Sequence, residues 1–359
     1  MSWTLDADQI DDLARGAAVL GTGGGGDPYI GALLAKQALR ERGPVTVLTV
    51  DEVPADAQVA MVAMMGAPTV MVEKVPSLAE VTAPLRAMEE VLGRPVTHVM
   101  CAEAGGVNST IPIAAAAMLG LPLVDADGMG RAFPELQMVL PTLSGIGASP
   151  LAIGDDKGNT AVLSTVTNNW AERIARTACV EMGCSVMISL FPMKGDEVAS
   201  SMVPNTLALC LQIGRAITRA RDANVDPVVA ATEVLGGREI FTGKVTDVER
   251  KTSTGFARGR AQVTGDGDEL ELNFQNEHLM ARRNGEVLVT TPDLILVLEH
   301  DSGEPITTEG LRYGQRVRVV AAPSDPRWHD AEALAMVGPR YFGYDVDSTR
   351  FDCRVEAMA

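Results

Sequence analysis

The sequence predicts an α/β protein: a Rossmann-like, mostly parallel sheet with helices on both faces, plus a smaller all-β second domain, a barrel or a sandwich. Three observations carry this. In the first half, apolar strand-like runs alternate with segments of helical period, the βαβ rhythm of a covered parallel sheet. From Arg238 onward the period changes to short alternating strands separated by turns. The 359-residue chain is 46% hydrophobic and only 21% charged, enough apolar material for a sizeable core.

The elements follow in order. Asp6 to Leu20 has helical period, with Ile10, Leu13 and Ala17 on one face. After a glycine run, Asp27 caps a second helix that has Pro28 at its first position and Gly43 past its end. Val45 to Val50 and Val59 to Met65 are strands, the latter ending at Gly66-Ala67-Pro68. Leu78 to Leu92 is a helix, and Val96 to Cys101 is a strand that runs into Ala102-Glu103-Ala104-Gly105-Gly106. Thr110 to Leu119 is an alanine-rich helix that tolerates Pro112 in its first turn, and the apolar run Leu119 to Val124 reads as a buried strand. Asn169 to Met182 and Pro204 to Ala223 are helices on either side of a strand, Ser185 to Phe191, and Val228 to Val234 is a helix ended by Gly236-Gly237. Phe241 to Val248, Gly255 to Val263, Leu270 to Phe274, Met280 to Arg283, Val287 to Thr290, Leu294 to Glu299 and Arg316 to Val320 are short strands. Asn284-Gly285 is a hairpin signal among them. The expected organisation is an α/β domain over 1-195, a helical connection over 196-237, a β domain over 238-324 and a C-terminal return to the α/β domain over 325-359.

The formal net charge is -17, which argues against nucleic acid as a partner, because that needs a basic face. The five cysteines are irregularly spaced and include no Cys-x-x-Cys, so reduced thiols in a cytoplasmic protein are expected. No signal peptide or membrane span is read from the sequence. The expected partner is a small-molecule substrate, with no nucleic acid and no membrane, in a homo-oligomer.

Candidate chemistry concentrates in four segments. Asp125-Ala126-Asp127-Gly128-Met129-Gly130-Arg131-Ala132-Phe133-Pro134-Glu135 follows an apolar run, where an open sheet places its ligands. If the backbone is extended there, Asp125 and Asp127 point to one side, where paired carboxylates can hold a divalent metal or share a proton. Glu103-Ala104-Gly105-Gly106-Val107-Asn108-Ser109-Thr110 is a second strand–loop–helix junction, with Glu103 at the sheet edge. Gly21-Thr22-Gly23-Gly24-Gly25-Gly26 lets a ligand approach the backbone at the start of the Asp27 helix. The same run matches G-x-G-x-x-G, with Asp51 about 25 residues on, so a nucleotide-dependent oxidoreductase is an alternative. Asn276-Glu277-His278 is a compact polar triplet that either reaches over the first domain's cleft or simply ends a strand. No Gly-x-Ser-x-Gly elbow, Walker loop or His-x-x-x-His pair occurs.

These segments, together with Gly338-Pro339-Arg340-Tyr341-Phe342-Gly343-Tyr344, resemble the S-methyl thiohydantoin desulfurase family over nearly the whole chain and in the same order. The resemblance implies removal of sulfur from a thiohydantoin or S-methyl thiohydantoin ring to leave a hydantoin. It also brings in a second alternative, a non-catalytic ligand-binding partner of a hydantoinase-type enzyme. The chemistry of the residues suggests a hydrolase. Asp125 or Asp127 would activate water, directly or through a metal, and Arg131 would stabilise developing charge. Glu135 or Glu103 would supply a proton. Gly23, Gly24, Gly25, Gly105 and Gly106 offer backbone to the substrate, and Asn108, Ser109, Asn276 and Glu277 are expected to bind and orient the ring. Asp27 marks a helix start at which a substrate carboxylate would sit.

Overall fold

A computed structural model describes residues 1–66, 70, 76–253 and 256–351. Ala67 and Pro68 of the expected turn, Gly255 of an expected strand, Cys353 and the end of the expected C-terminal return lie outside these residues. The first half builds an eight-stranded sheet. Its strands are β1 (Trp3–Leu5), β2 (Val45–Leu48), β3 (Gln58–Gly66), β4 (His98–Cys101), β5 (Leu123–Val124), β7 (Leu151–Gly154), β8 (Thr160–Leu163) and β9 (Ser185–Lys194). A short β6 (Ala126–Asp127) pairs separately with β10 (Val203–Pro204). The order across the large sheet is β1-β2-β5-β4-β3-β9-β7-β8.

That sheet is mixed, which corrects the mostly parallel expectation. Only β2–β5, β5–β4 and β4–β3 run parallel, and antiparallel strands flank them on both sides. The reason is physical. Both β3 and β9 are buried on both faces, and such a strand reads as a continuous apolar run whichever way its neighbour points. Successive β3 residues feed opposite cores: Ala60, Val62 and Met64 face one, and Val59, Met61, Ala63 and Met65 the other. Helices cover both faces. Ile10–Leu20, Pro28–Arg42, Leu78–Leu92 and Ile111–Leu119 pack on the first core, and Asn168–Glu181 packs on the second.

The expected strand from Leu119 to Val124 shrinks to β5. The alanine-rich helix runs on to Leu119 and ends at Gly120 in the left-handed region, so only Leu123 and Val124 pair. The hairpin β7–β8 escaped the sequence reading, although its turn is chemically legible: Asp155 Oδ1 accepts the N–H groups of Lys157 and Asn159.

The second sheet is antiparallel throughout. Its strands are β11 (Arg238–Ser253), β12 (Phe256–Gly265), β13 (Asp268–Gln275), β14 (Glu277–Arg283), β15 (Glu286–Thr290), β16 (Leu294–Glu299) and β17 (Arg316–Ala322), in the order β15-β14-β13-β12-β11-β17-β16. It is a half-barrel, neither a closed barrel nor a sandwich. Its inner face packs into a core of its own, to which Leu311 and Phe351 also contribute. Leu294, Leu296 and Leu298 of β16 join the core beneath the first helices, while Ile295 and Val297 point into the half-barrel's own core. Trp328 and the helix Ala331–Val337 then pack into the second α/β core. Among the described residues no helix is long and apolar enough to cross a membrane.

The glycine run is the joint between the two sheets. Gly25 packs against Gly105 so closely that an added Cβ would stand 2.4 Å from the Gly105 Cα, and its φ is +74°. Gly25→Ala is therefore expected to cost about 2–4 kcal/mol in urea unfolding, from overpacking plus left-handed strain. Gly93→Ala, also left-handed but facing open space, should cost about 1 kcal/mol.

Candidate active site

Glu103 sits in the loop after β4, and Asn108 fixes it. The Asn108 Oδ1 accepts the Met64 N–H at 2.8 Å, and its Nδ2 donates to Met64 O at 3.3 Å and to Glu103 Oε1 at 2.6 Å. One side chain thus ties the end of β3 to the carboxylate. The Ser109 hydroxyl accepts the Gly105 N–H, and Gly25 O accepts the Val107 N–H, so this loop and the glycine run form one unit. Glu277 opens β14 and lies over Gly24, where an added Cβ would stand 1.9 Å from its Oε1. The Glu277 Oε2 is buried and has no partner among the described residues. Asn276 precedes it at φ +56° and accepts the Ala257 N–H with its side chain.

Glu103 and Glu277 both line a cleft at the junction of the two sheets. Gly25, Gly26, Asn108, Asn276 and Glu135 contribute polar or backbone surface, while Met64, Phe133, Ile188 and Leu190 supply apolar wall. Burial pushes the Glu103 carboxyl up to about 7, with the Asn108 hydrogen bond opposing the shift. Burial, reinforced by the charge of Glu103, pushes Glu277 well above the usual carboxylate range. Both cleft carboxyls are thus shifted upward by burial, a perturbation common at functional sites. At the outer edge, Glu135 Oε2 accepts the Tyr341 hydroxyl at 2.8 Å.

The other expected site residues have different placements. Asp125 is fully engaged: Oδ1 accepts the Leu207 and Ala208 N–H groups at the start of the helix Thr206–Asp222, and Oδ2 accepts Trp3 Nε1. Asp127 Oδ1 accepts the Met129 and Gly130 N–H groups, and its Oδ2 is buried with no partner within hydrogen-bond geometry among the described residues. Burial pushes Asp127 up to about 7. A divalent metal does not fit this pair. Both Asp125 oxygens already serve N–H donors, and no cluster of three metal-ligating side chains occurs among the described residues. Arg131, expected to stabilise developing charge, is fully buried, and its guanidinium bonds to protein groups. Asp27 caps the helix Pro28–Arg42 through the Tyr29 N–H. Gly23 and Gly106 are packed: a Cβ on Gly23 would meet the His278 ring, and one on Gly106 would meet Pro28. The glycine run follows a helix where a dinucleotide fingerprint needs a strand, and Asp51 lies exposed in a short 3-10 turn. The nucleotide reading loses its structural context.

Sequence reasoning missed Arg176 and the Met64–Met65 wall. Arg176 lines the cleft from the helix Asn168–Glu181, pairs with Glu172 at 2.7 Å and stacks over Phe256. Nothing separates it in sequence from other charges on an amphipathic helix. The methionines sit at the end of a buried strand and read as core.

The fold and cleft define a two-part protein, an α/β sheet joined to an antiparallel half-barrel with buried carboxyls at the seam. The chain belongs to the S-Me-THD-like family: the family's N-terminal domain matches residues 8–165 and its C-terminal domain residues 166–351. Its fold is similar to the crystal structure of a protein from Chromobacterium violaceum, at 23% identity and a TM-score of 0.84, over 98% of this chain and 100% of that one. No curated protein matches the chain.

Asp125→Ala should cost about 1–3 kcal/mol in urea unfolding, because it strips the acceptor from two helix N–H groups. Asp127 makes a pH-dependent contribution. Its folded pKa lies above the unfolded value, so the folded state binds the extra proton and stability falls as pH rises from about 4 to about 7. Asp127→Asn should flatten that part of the stability–pH curve, read by thermal melts across the range.

Proposed function

We propose that the protein removes sulfur hydrolytically from a thiohydantoin-type ring, releasing methanethiol from the S-methyl compound or sulfide from the thione and leaving the hydantoin. The observation that carries this reading is the pair of buried carboxyls, Glu103 and Glu277, in one cleft of a chain whose family is thiohydantoin-related.

Glu103, ionised and oriented by Asn108, takes a proton from water as the water oxygen attacks the ring carbon that bears sulfur. Neutral Glu277 donates its proton to the adjacent ring nitrogen, making that carbon more electrophilic. The tetrahedral intermediate then collapses: its hydroxyl gives its proton to Glu277 as the carbonyl forms, the carbon–sulfur bond breaks, and sulfur leaves with its electron pair and takes the proton held by Glu103. The ring nitrogen keeps the proton it received, so the product is the hydantoin N–H, and both glutamates return to their starting state. In the thione, whose ring nitrogens both carry hydrogen, Glu277 protonates sulfur instead. Gly25 and Gly26 line the cleft where backbone can face the developing oxyanion. The Phe133, Met64 and Leu190 wall keeps water scarce around the ring. Asn276 and Glu135 orient it.

Purified protein should release methanethiol from S-methyl thiohydantoin, read with a thiol reagent, and chelator should leave the rate unchanged. Failure to release thiol from either the S-methyl ring or the thione would overturn the reading. Glu103→Gln should lower kcat/KM by about 10²–10⁴. In the unsubstituted protein kcat/KM should rise with pH through about 7, because the base works only when deprotonated. Asp125→Asn, outside the cleft, should keep most of the activity.

A further inference from the structure

Glu135 and Arg176 line both the cleft and a second, outer cavity, which also draws on the helix Asn168–Glu181, Phe256 and Tyr341. The charges around that cavity are unequally engaged. Glu172 is neutralised in place: Oε1 accepts Arg176 Nε at 2.7 Å, and Oε2 accepts the Leu136 N–H. Arg176 also stacks over Phe256, 4.6 Å from the ring centre. Glu135 Oε2 accepts both the Tyr341 hydroxyl and the Gln137 amide. Arg173 differs from these. Its guanidinium lies 5.5 Å from the ring centre of the exposed Trp170, and it has no carboxylate partner among the described residues. Asn169 lines the same cavity one turn earlier on the same helix. A permanent cation with accessible N–H donors thus stands beside the mouth of the cleft with no anion to answer it.

We propose that the outer cavity is the subsite for a side chain on C5 of the ring that ends in a carboxylate, with Arg173 as its specificity-determining residue. This rests on the desulfurisation reading for the placement of the ring, and it adds no step to that chemistry. In a five-membered ring the C4–C5 edge lies opposite C2. A ring whose C2 meets Glu103 therefore turns C5, and whatever hangs from it, away from the reacting end. The methylenes of such a side chain lie along Phe256, and its carboxylate takes the N–H fork of Arg173 with Asn169 beside it. A cationic side chain is the rival occupant, because Glu135 is an anion. Glu135 already receives two hydrogen bonds on one oxygen, and Arg173 repels an ammonium group. Arg173 is exposed, so the preference is severalfold in size and screened by salt. The contact is the same before and during reaction, so it lowers KM and leaves kcat alone.

The test compares rings that differ in charge and hardly in size: S-methyl thiohydantoins with a carboxymethyl, carboxyethyl or carboxypropyl group on C5, each against its primary amide. An aminobutyl ring is the cationic rival. Methanethiol release reads turnover, and calorimetric binding of the matching hydantoins reads the subsite without turnover. At least one acid should show a KM about three- to tenfold below that of its amide, with kcat within about twofold. The difference should shrink toward none at about 1 M salt. Arg173→Gln should bring acid and amide level, and Arg173→Glu should turn the preference to the aminobutyl ring. Thiol release from acid and amide alike, or a preference for the aminobutyl ring in the unsubstituted protein, would overturn this inference and leave desulfurisation standing. Tighter binding of the acidic hydantoins with no thiol release from any ring would support the subsite and overturn the desulfurisation reading. Neither binding nor release from a folded protein would remove both. An acid preference that survives Arg173→Glu would overturn the role of Arg173. If the variants misfold by circular dichroism, the acid–amide comparison and its salt dependence in the unsubstituted protein decide alone.

Discussion

The buried guanidinium of Arg131 holds this structure together at the point that matters. It donates to Ala132 O, Pro292 O, Asp293 O, His278 O and Thr22 Oγ1, so one side chain ties its own loop to the glycine run, to the start of β14 and to the β15–β16 connection. It also stacks over Phe133. All of its acceptors are neutral, so the hydrogen bonds compensate the loss of water and nearby carboxyls balance the charge. Burial lowers its pKa to about 10, with Glu277, Asp293 and Glu103 opposing the shift, and the cation persists at neutral pH. A lysine has no planar fork to reach acceptors on three segments at once.

The acid–base character of the cleft follows from counting charges around that cation. Burial opposes ionisation of Asp293, yet hydrogen bonds from His329 and from the Phe351 and Ser324 N–H groups hold it below the usual carboxylate range. Asp293 is therefore already an anion beside Arg131. Any further negative charge there has no new counter-charge, and Glu103 and Glu277 compete for what remains. Glu103 has a hydrogen bond from Asn108 that opposes its upward shift, and the buried Glu277 Oε2 has no partner among the described residues. The difference comes from packing and not from residue type, since both are glutamates.

Much of this could be read in the sequence wherever the deciding interaction is local. The Asp27 cap with Pro28 and Gly43, the helix Leu78–Leu92, the strand Leu294–Glu299 and the Asn284-Gly285 turn all rest on neighbours within a few residues. So does the bracketing of Glu103 and Asn108 at the end of an apolar strand. What failed was non-local. Asp125 looks catalytic until the helix it caps, 82 positions away, is in place. Arg131 in sequence is a charge between glycines, and only the fold shows that its acceptors lie as far as 162 residues off. The direction of β9 is likewise set by its partner β3 and not by its own composition.

The seam also explains why the two halves recur as one chain. The part matched by the N-terminal family domain supplies the glycine run, Glu103, Asn108 and Glu135, and the part matched by the C-terminal domain supplies Arg176, Asn276, Glu277 and Tyr341. Neither holds both carboxyls. The halves are also not separate bodies that happen to touch. Strand β16 sends alternate residues into the α/β core and the half-barrel core, and the second α/β core takes in Trp328 from beyond the last strand. The Trp328 Nε1 donates to Met129 O, inside the loop that carries Arg131. A displacement of the half-barrel would have to break that core, strip the Arg131 acceptors and open the Gly24–Glu277 contact together. A cleft built this way is set by folding, and its two carboxyls are held in a geometry the chain has already fixed.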